Sequence, residues 1–195
     1  DDAVSLTASQ ADALRASGLT FAANDAITVT DTGMRLAGLT FADDSPTVLG
    51  GAHVALDASD DAVHLAPPQA DALIAAGLTF ATSDAVTVAD ITDEAAALAA
   101  YATTTIGGRS VTLSAVSHAW NLTAAALNTA LAAGVAFAAT DTVTVTDIAS
   151  ANETAALTAY TKARIGGRSV TLAASSHTWN LTAAALDAAL AAGVA

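Results

Sequence analysis

Apolar and polar residues follow a pattern that recurs along the whole chain. Its best example runs from Leu65 to Asp90, LAPPQADALIAAGLTFATSDAVTVAD, and recognisable copies start at Leu6, Leu122 and Leu181. These starting positions are separated by 59, 57 and 59 residues, and a fixed period of this size is typical of repeat architectures. We therefore predict a single repeat array over residues 1–195, with units at about 6–64, 65–121 and 122–180 and a partial fourth unit at 181–195.

Each copy of the pattern predicts a helix followed by a strand. In the first copy, Thr7 and Gln10 have the spacing of a capping box, which starts a helix that runs to about Ala16. A glycine ends each helix at a position suited to a left-handed cap; these glycines are Gly18, Gly77, Gly134 and Gly193. The alternation of Val and Thr in AITVTD, AVTVAD and TVTVTD has the period of a strand with one buried face. The polar residues between the preceding LTF or VAF piece and this strand predict a short hairpin loop.

The second half of each unit repeats this plan more loosely. It predicts helices at about Asp93–Thr103 and Glu153–Lys162, each followed by the sequence IGGRSVTL and then by SHAWNL or SHTWNL. The first unit has Gly33, Gly38 and Pro46 in place of the Ala-rich helix. Because glycine and proline disfavour helix interiors, we expect that helix to be short or absent.

The size of the units determines the predicted fold. Each unit is too small and too rich in alanine to hold a core of its own, and stacking the units solves this problem. Helices stack about 8–10 Å apart and strands about 4.8 Å apart, so two strands for each helix bring the spacings into agreement. We predict an α/β fold, an elongated and nearly straight solenoid of about 59-residue double repeats. One strand for each helix would instead give a curved solenoid resembling leucine-rich repeats.

Composition excludes several partners. The formal net charge is −13, with only 6 Lys and Arg residues, and nucleic acid or an anionic membrane surface would need a basic patch. The absence of Cys excludes disulfides and thiolate chemistry. No bulky apolar run reaches the roughly 18 residues of a membrane span, so we expect no membrane insertion.

Recurrent aspartates are the candidate metal ligands. They are Asp25, Asp31, Asp84, Asp90, Asp141 and Asp147. Carboxylates in this arrangement are compatible with one calcium ion for each coil. Aspartate is also favoured in turns and at helix caps, and the Gly/Asp-dense loops of known calcium repeats are missing. We therefore favour turns and caps, with calcium as the only cofactor considered.

Two histidine–tryptophan pairs are the candidate ligand-binding residues. They are His118 with Trp120 and His177 with Trp179. Tryptophan faces suit sugar rings, which makes a ladder that binds glycans one interpretation. The alternative, which we favour, is an aromatic stack that fixes the register of neighbouring coils.

Other recurring motifs predict local structure. The formal glycosylation sequons are Asn121-Leu122-Thr123, Asn152-Glu153-Thr154 and Asn180-Leu181-Thr182, and each lies at a predicted helix start, where Asn and Thr cap N–H groups. Gly107-Gly108-Arg109 and Gly166-Gly167-Arg168 predict tight turns, with the arginines paired to strand aspartates. No nucleophile, base and orienting acid converge, and we expect no enzymatic activity.

The consensus LTxxQADALxAAGLTFAxxDxVTVxD, which is spread over nearly all 195 residues, resembles tandem repeats of very large secreted and cell-surface proteins of proteobacteria. These adhesin-like chains are often exported by type I secretion. The resemblance implies a structural or adhesive extracellular protein at the bacterial cell surface, forming a stalk, fibre or surface layer. The alternative function is a surface module that binds glycan or calcium.

The expected partners follow from the repeat. The chain starts and stops inside its own pattern, so we expect a segment of a longer protein. Its partners would be neighbouring repeats or identical chains that stack head to tail, with surface glycans as further candidates.

Overall fold

The computed structural model describes residues 3–19, 21–22, 24–39, 48–49, 52–149, 152–160, 164–165, 168–175 and 178–192. These residues form an α/β fold with seven helices and three sheets whose long strands run parallel, which confirms the predicted class. The helices are α1 (Ala8–Ser17), α2 (Gly33–Ala37), α3 (Pro67–Ala76), α4 (Glu94–Tyr101), α5 (Ala124–Ala133), α6 (Glu153–Tyr160) and α7 (Ala183–Ala192). None of them combines the length and the apolar character needed to cross a bilayer.

The strands are β1 (Ala3–Leu6), β2 (Ala26–Asp31), β3 (Val48–Leu49), β4 (Ala52–Ala58), β5 (Ala62–Leu65), β6 (Thr79–Phe80), β7 (Ala85–Ile91), β8 (Val111–Ala115), β9 (Ala119–Leu122), β10 (Ala136–Phe137), β11 (Thr142–Ile148), β12 (Arg164–Ile165) and β13 (Arg168–Ala174). The sheet orders are β1-β2-β4-β3 with β6 also on β4, then β10-β8-β7-β5, and finally β12-β13-β11-β9. The short strands β3 and β12 pair antiparallel with β4 and β13, and all other pairings for which a register is known are parallel.

Two offsets alternate in the register of the longer parallel strands. Val4 of β1 lies beside Ile27 of β2, 23 positions later, and Ile27 lies beside Val54 of β4, 27 positions later. The same two offsets recur where Trp120 of β9 lies beside Val143 of β11 and Val143 lies beside Val170 of β13. Equivalent strands of the sequence pattern therefore have equivalent neighbours.

The chain divides into two compact units, whose boundaries differ from those of the repeats in the sequence. The first compact unit contains residues 1–89 and 104–112, and the second contains residues 90–103 and 113–195. In each unit the core contains apolar residues from both strands and helices. Leu56 and Leu65 are completely buried in the first unit, and Leu127 and Val145 are completely buried in the second.

The helix boundaries follow from the predicted caps. The Thr7 hydroxyl accepts the Gln10 N–H at 3.3 Å, and the Gln10 side chain accepts the Thr7 N–H at 2.9 Å, which confirms the capping box. The final glycines Gly18, Gly77 and Gly134 are left-handed, with φ of 66°, 63° and 67°, while Gly193 lies outside the described residues.

The second helix of each unit also follows the prediction. Asp93 caps α4 through the Ala96 N–H, and α6 starts at Glu153, although Lys162 lies outside the described residues. Helix α2 has only 5 residues, so the short helix predicted for the first unit is confirmed. The prediction drawn from Pro46 lies outside the described residues.

The predicted hairpin between the LTF or VAF piece and the following strand is wrong. Strand β6 pairs in parallel with β4, where Phe80 lies beside Leu56, rather than with β7. The Ala81 N–H donates to the Leu56 carbonyl at 2.8 Å, and the Asp84 N–H donates back to Ala81 at 3.1 Å. The polar residues therefore form a tight corner between two strands that each pair with other partners.

Candidate functional site

Asp141 lies at the centre of the most extensive side-chain network around these aspartates. It is 2% exposed in the corner before β11. Its Oδ2 accepts the Ala115 N–H at 2.8 Å and the Trp120 Nε1–H at 2.9 Å. Its Oδ1 lies 3.0 Å from His118 Nδ1 and accepts the Thr140 hydroxyl at 3.1 Å. Three of the four contacts join the carboxylate to residues 21 to 26 positions earlier, and the fourth comes from the preceding residue.

These contacts determine the pKa of Asp141. Burial raises the pKa of the carboxyl, because it removes water from the charged form. The hydrogen bonds from the Ala115 N–H, Trp120, His118 and Thr140 lower it, and together they outweigh burial. The pKa of Asp141 is therefore below its ordinary value, and the network holds a charged carboxylate.

Trp120 belongs to the core of the second compact unit. Its side chain is 0% exposed, and its ring centroid lies 4.6 Å from that of Phe137 at an angle of 56°. Neither ring face is accessible to a sugar, so contact with a glycan here would require the indole to leave the core. His118 is exposed over 62% of its side chain and has a φ of 54°.

The other histidine–tryptophan pair is described only in part. Trp179 is half-buried, and His177 lies outside the described residues. The structure therefore brings together His118, Trp120 and Asp141, a set that the sequence assigned to two different kinds of site.

Asp84 occupies the equivalent corner of the first compact unit but has a different environment. It is 0% exposed, its Oδ2 accepts the Ala58 N–H at 3.2 Å, and its Oδ1 has no hydrogen-bond partner. Val63 stands at the position of Trp120, and Asp61, with a φ of 52°, stands at the position of His118. The carboxyl therefore lacks both side-chain donors that Asp141 has at those positions.

The pKa of Asp84 is correspondingly raised. Burial is the largest cause, and the negative charges of Asp57 and Asp61 add to it. Hydrogen bonds from the backbone of Ala58 and Ala81 lower the pKa but do not compensate. Two aspartates at equivalent positions are thus shifted in opposite directions.

Three of the four remaining candidate aspartates accept hydrogen bonds from backbone N–H groups in turns and at helix starts. Asp25 is half-buried and accepts the Ala22 N–H at 3.1 Å. Asp31 accepts the Ala8 N–H at 3.2 Å, and Asp147 accepts the Ala124 N–H at 2.7 Å, both at helix N-termini.

Asp90 departs from its two equivalents. Asp31 and Asp147 each accept the N–H of the first residue of a helix, whereas the first residue of α3 is Pro67, which has no N–H to donate. Asp90 itself has a left-handed backbone, with a φ of 59°. Across the described residues, no three His, Asp or Glu side chains form a group that could hold a metal ion. Calcium binding by the six aspartates therefore stays a prediction.

Two glutamates that the sequence analysis did not single out each join the start of a helix to a backbone N–H 27 residues later. Glu94 accepts the Asn121 N–H at 2.5 Å, and Glu153 accepts the Asn180 N–H at 2.6 Å. Glu153 is 1% exposed, and its Oε1 has no hydrogen-bond partner. The signal in the sequence is the identical 27-residue spacing of Glu and Asn in the repeats at 65–121 and 122–180.

In two of the three sequons, Asn121-Leu122-Thr123 and Asn180-Leu181-Thr182, the threonine caps the following helix. Thr123 accepts the Ala126 N–H at 3.1 Å, and Thr182 accepts the Ala185 N–H at 3.2 Å. Asn121 lies two residues earlier, inside β9, so capping by this asparagine is wrong.

The turn predicted for Gly107-Gly108 is confirmed. Both glycines have positive φ, 59° and 78°, and the flanking Ile106 and Arg109 exchange backbone hydrogen bonds of 3.1 and 3.0 Å. Arg109 Nε donates to the backbone carbonyl of Asp84 at 2.9 Å. The Gly166-Gly167 turn and the Arg168 side chain lie outside the described part of the chain.

A cleft of about 260 Å³ opens beside α6. It is lined by Ala124, Asp147, Ile148, Ala149, Asn152, Ala155, Ala156 and Tyr160. The Tyr160 hydroxyl donates to the Asn128 side chain at 3.0 Å, and Asp147 is held by the Ala124 N–H. Alanine supplies half of the lining residues, and the carboxylate and phenol already bind other protein groups.

Comparison of the chain with protein-family models, with curated proteins and with solved structures finds no match.

Proposed function

We propose that this chain is a structural segment of an extracellular repeat protein at the bacterial cell surface. In this proposal its parallel strands and helices stack as an elongated α/β solenoid that serves as stalk, fibre or surface layer. The observation that carries the proposal is the use of buried polar groups. Asp84, Asp141 and Glu153 each bind the backbone of a residue 26 or 27 positions away.

Such contacts favour a structural function over a binding or catalytic one. A carboxylate that accepts several hydrogen bonds from its own protein has few lone pairs left for a substrate. Asp141 makes four such contacts, and these join residues that lie 1 to 26 positions away in the sequence. The network holds one turn of chain to the next, and a stalk or fibre under tension requires such contacts.

The alternating register supports the solenoid. Parallel partners separated by 23 and then 27 residues can continue in the same manner through further copies. The acidic composition, with a net charge of −13, favours solubility in an exposed extracellular array. The resemblance to secreted adhesin-like repeats supports the location.

Duplicating residues 65–121 within the chain tests this proposal. In a solenoid each added copy extends the particle by the same increment without changing its cross-section, which small-angle X-ray scattering and electron microscopy measure. The matched control is a chain with the same residues inserted in scrambled order. Particles that become rounder rather than longer with each copy would exclude the solenoid.

A further inference from the structure

Three of the five asparagines in the chain lie in Asn-x-Thr sequons, and the structure leaves all three exposed. They are Asn121, Asn152 and Asn180, and none of them is followed by proline. A sequon of this kind is the acceptor pattern for N-linked sugars. Because the same residues also suit helix caps, the structure has to decide between the two interpretations at each position.

Asn121 is exposed and does not cap a helix. It lies inside β9, two positions before Thr123, whose hydroxyl forms the cap. The Asn121 backbone N–H donates to Glu94 at 2.5 Å, and its carboxamide makes no hydrogen bond to any residue that the structure describes. Three further strands and two helices follow β11 or precede the last repeat, so this exposure does not result from a chain end.

The fold does not require asparagine at this position. The equivalent residues of β1 and β5 are Ser5 and His64, and both are exposed as Asn121 is. The neighbours Trp120 and Leu122, by contrast, are 0% and 2% exposed and belong to the core. Since serine and histidine serve the same strand position, neither packing nor capping explains the choice of asparagine.

The surroundings of Asn121 leave room for a bulky group. Asn121 lies beside Thr144 of β11, and Ala119, on the same face of β9, lies beside Thr142. These side chains are small, and β9 is the last strand in the order of its sheet within the described residues. A hydrophilic group attached here would hinder pairing of this edge with another chain, a hazard that exposed strand edges carry.

We propose that Asn121, together with Asn180 at the equivalent position of the next repeat, is an acceptor for an N-linked sugar. Asn152 directly precedes α6, where capping explains the residue, and it is not included. The proposal goes beyond the solenoid, since it needs only an exposed asparagine in a sequon.

The donor is a sugar whose anomeric carbon carries a phosphate leaving group, linked either to a nucleotide or to a lipid. Asn121 Nδ2 forms a bond to the anomeric carbon, and the bond from that carbon to the phosphate oxygen breaks. The electron pair of the broken bond leaves with the phosphate, and the Nδ2 proton passes to a base of the transferase. The amide remains neutral, so the net charge of the chain does not change.

The burial of Leu122 indicates when the sugar is added. Leu122 is 2% exposed, and the Thr123 hydroxyl accepts the Ala126 N–H at 3.1 Å. A transferase that binds all three residues of the sequon therefore needs a chain that has not yet folded. The folded protein retains the sugar, because the Asn121 side chain lies outside the core. We expect the unfolded chain to be the better acceptor.

Peptide mapping by mass spectrometry, on protein purified from the cells that produce it, tests the proposal. We expect sugar on the peptides that contain Asn121 and Asn180. Asn128 is exposed but is followed by Thr129-Ala130, so it is not in a sequon, and its side chain serves as the internal control. An Asn121 without sugar, or sugar on Asn128 as well, would overturn the assignment.

Two variants separate the sequon from the helix cap. Thr123→Ser retains both, whereas Thr123→Asp retains a capping side chain but destroys the sequon. We expect the serine variant to keep its sugar and the aspartate variant to lose it at Asn121, while urea denaturation shows that both are folded. Sugar that persists at Asn121 in the aspartate variant would contradict recognition of the sequon.

Cell fractions distinguish the two kinds of donor. The chain, unfolded in urea and diluted, is incubated either with soluble extract of the producing cells and a mixture of nucleotide sugars, or with their membrane fraction and its lipid-linked sugars. Transfer in the first arm identifies a nucleotide-linked donor, and transfer in the second identifies a lipid-linked donor. The prefolded chain is the matched control and should accept less sugar. Transfer in neither arm would refute the proposal.

Discussion

The indole Nε1 of Trp120 lies 2.9 Å from Oδ2 of Asp141, and both side chains are buried. Each group provides a hydrogen-bond partner for the other, so both polar groups can be buried away from water. The pair also joins β9 to the corner before β11, 21 positions further along the chain. A tryptophan that suggested a ligand site from its sequence is thus a structural donor.

Replacing Trp120 with phenylalanine tests the value of this hydrogen bond. The change retains most of the apolar volume but leaves Asp141 without its indole donor. Loss of one partner of a buried charged group destabilises by about 1–3 kcal/mol. We expect a decrease of this size in the free energy of unfolding, measured by urea denaturation. Trp179→Phe, at a half-buried equivalent position, is the matched control, and equal effects of the two changes would contradict the assignment.

Asp141→Asn should reduce stability at neutral pH and have little effect in acid. The folded pKa of Asp141 is lowered, so its stabilisation is present above the unfolded value, near 4, and is lost as the pH falls through the folded pKa. We expect a loss of about 1–3 kcal/mol at pH 7. Thermal melts from pH 2 to 8 measure the difference between variant and parent. A difference that does not shrink toward low pH would be inconsistent with this account.

Asp84→Asn should behave in the opposite way. The folded pKa of Asp84 is raised, so its stabilisation is present below the unfolded pKa and is lost as the pH rises through the folded pKa. The neutral amide retains an acceptor for the Ala58 N–H and removes a buried charge that Asp57 and Asp61 repel. We expect equal or higher stability at pH 7, measured in the same melts. A loss as large as that of Asp141→Asn would show that the two corners are equivalent.

The structural features that the sequence predicted correctly depend on residues close to one another in the chain. The Thr7 cap and the left-handed glycines after α1, α3 and α5 need only a few consecutive residues to form. The hairpin prediction failed because β6 pairs with β4 through residues 24 positions earlier. A short run of polar residues indicates that the chain turns, but it does not identify the strand with which the next segment pairs.

The site illustrates the same limit. The recurrence of Asp84 and Asp141 was visible in the sequence, but their different pKa shifts depend on residues 21 to 23 positions away. Val63 and Asp61 stand where Asp141 meets Trp120 and His118, and only the register of β5 on β7 and of β9 on β11 reveals this. A local motif therefore could not distinguish the corner whose aspartate has a raised pKa from the corner whose aspartate has a lowered pKa.

Calcium should not raise the melting temperature. Five of the six candidate aspartates accept N–H donors, as Asp31 does from Ala8 and Asp147 does from Ala124, and a cation would have to displace these contacts. We expect melts in millimolar calcium, in millimolar magnesium and in chelator to agree within error at matched ionic strength. A rise with calcium alone would favour the alternative in which calcium binds at the coil edges.

Gly33 is required by a close approach of two backbones. A Cβ at this position would lie 1.8 Å from the carbonyl oxygen of Ala62 and 2.7 Å from its carbonyl carbon. Since these are backbone atoms, α2 would have to move away from β5 and weaken the 2.8 Å bond from the Gly33 N–H to Asp60. We expect Gly33→Ala to lower the free energy of unfolding by about 1–3 kcal/mol.

The matched control for Gly33→Ala lies at the other end of the same helix. A Cβ on Gly38 would meet its nearest atoms at 3.5 and 3.6 Å, and the φ of −83° suits any residue. Gly38→Ala should therefore be neutral or stabilise by up to about 1 kcal/mol, because it restricts the unfolded chain. Urea denaturation of both variants measures the difference. Equal stabilities would show that α2 can move from β5 without loss, and the packing of this short helix would then not determine the fold of the first unit.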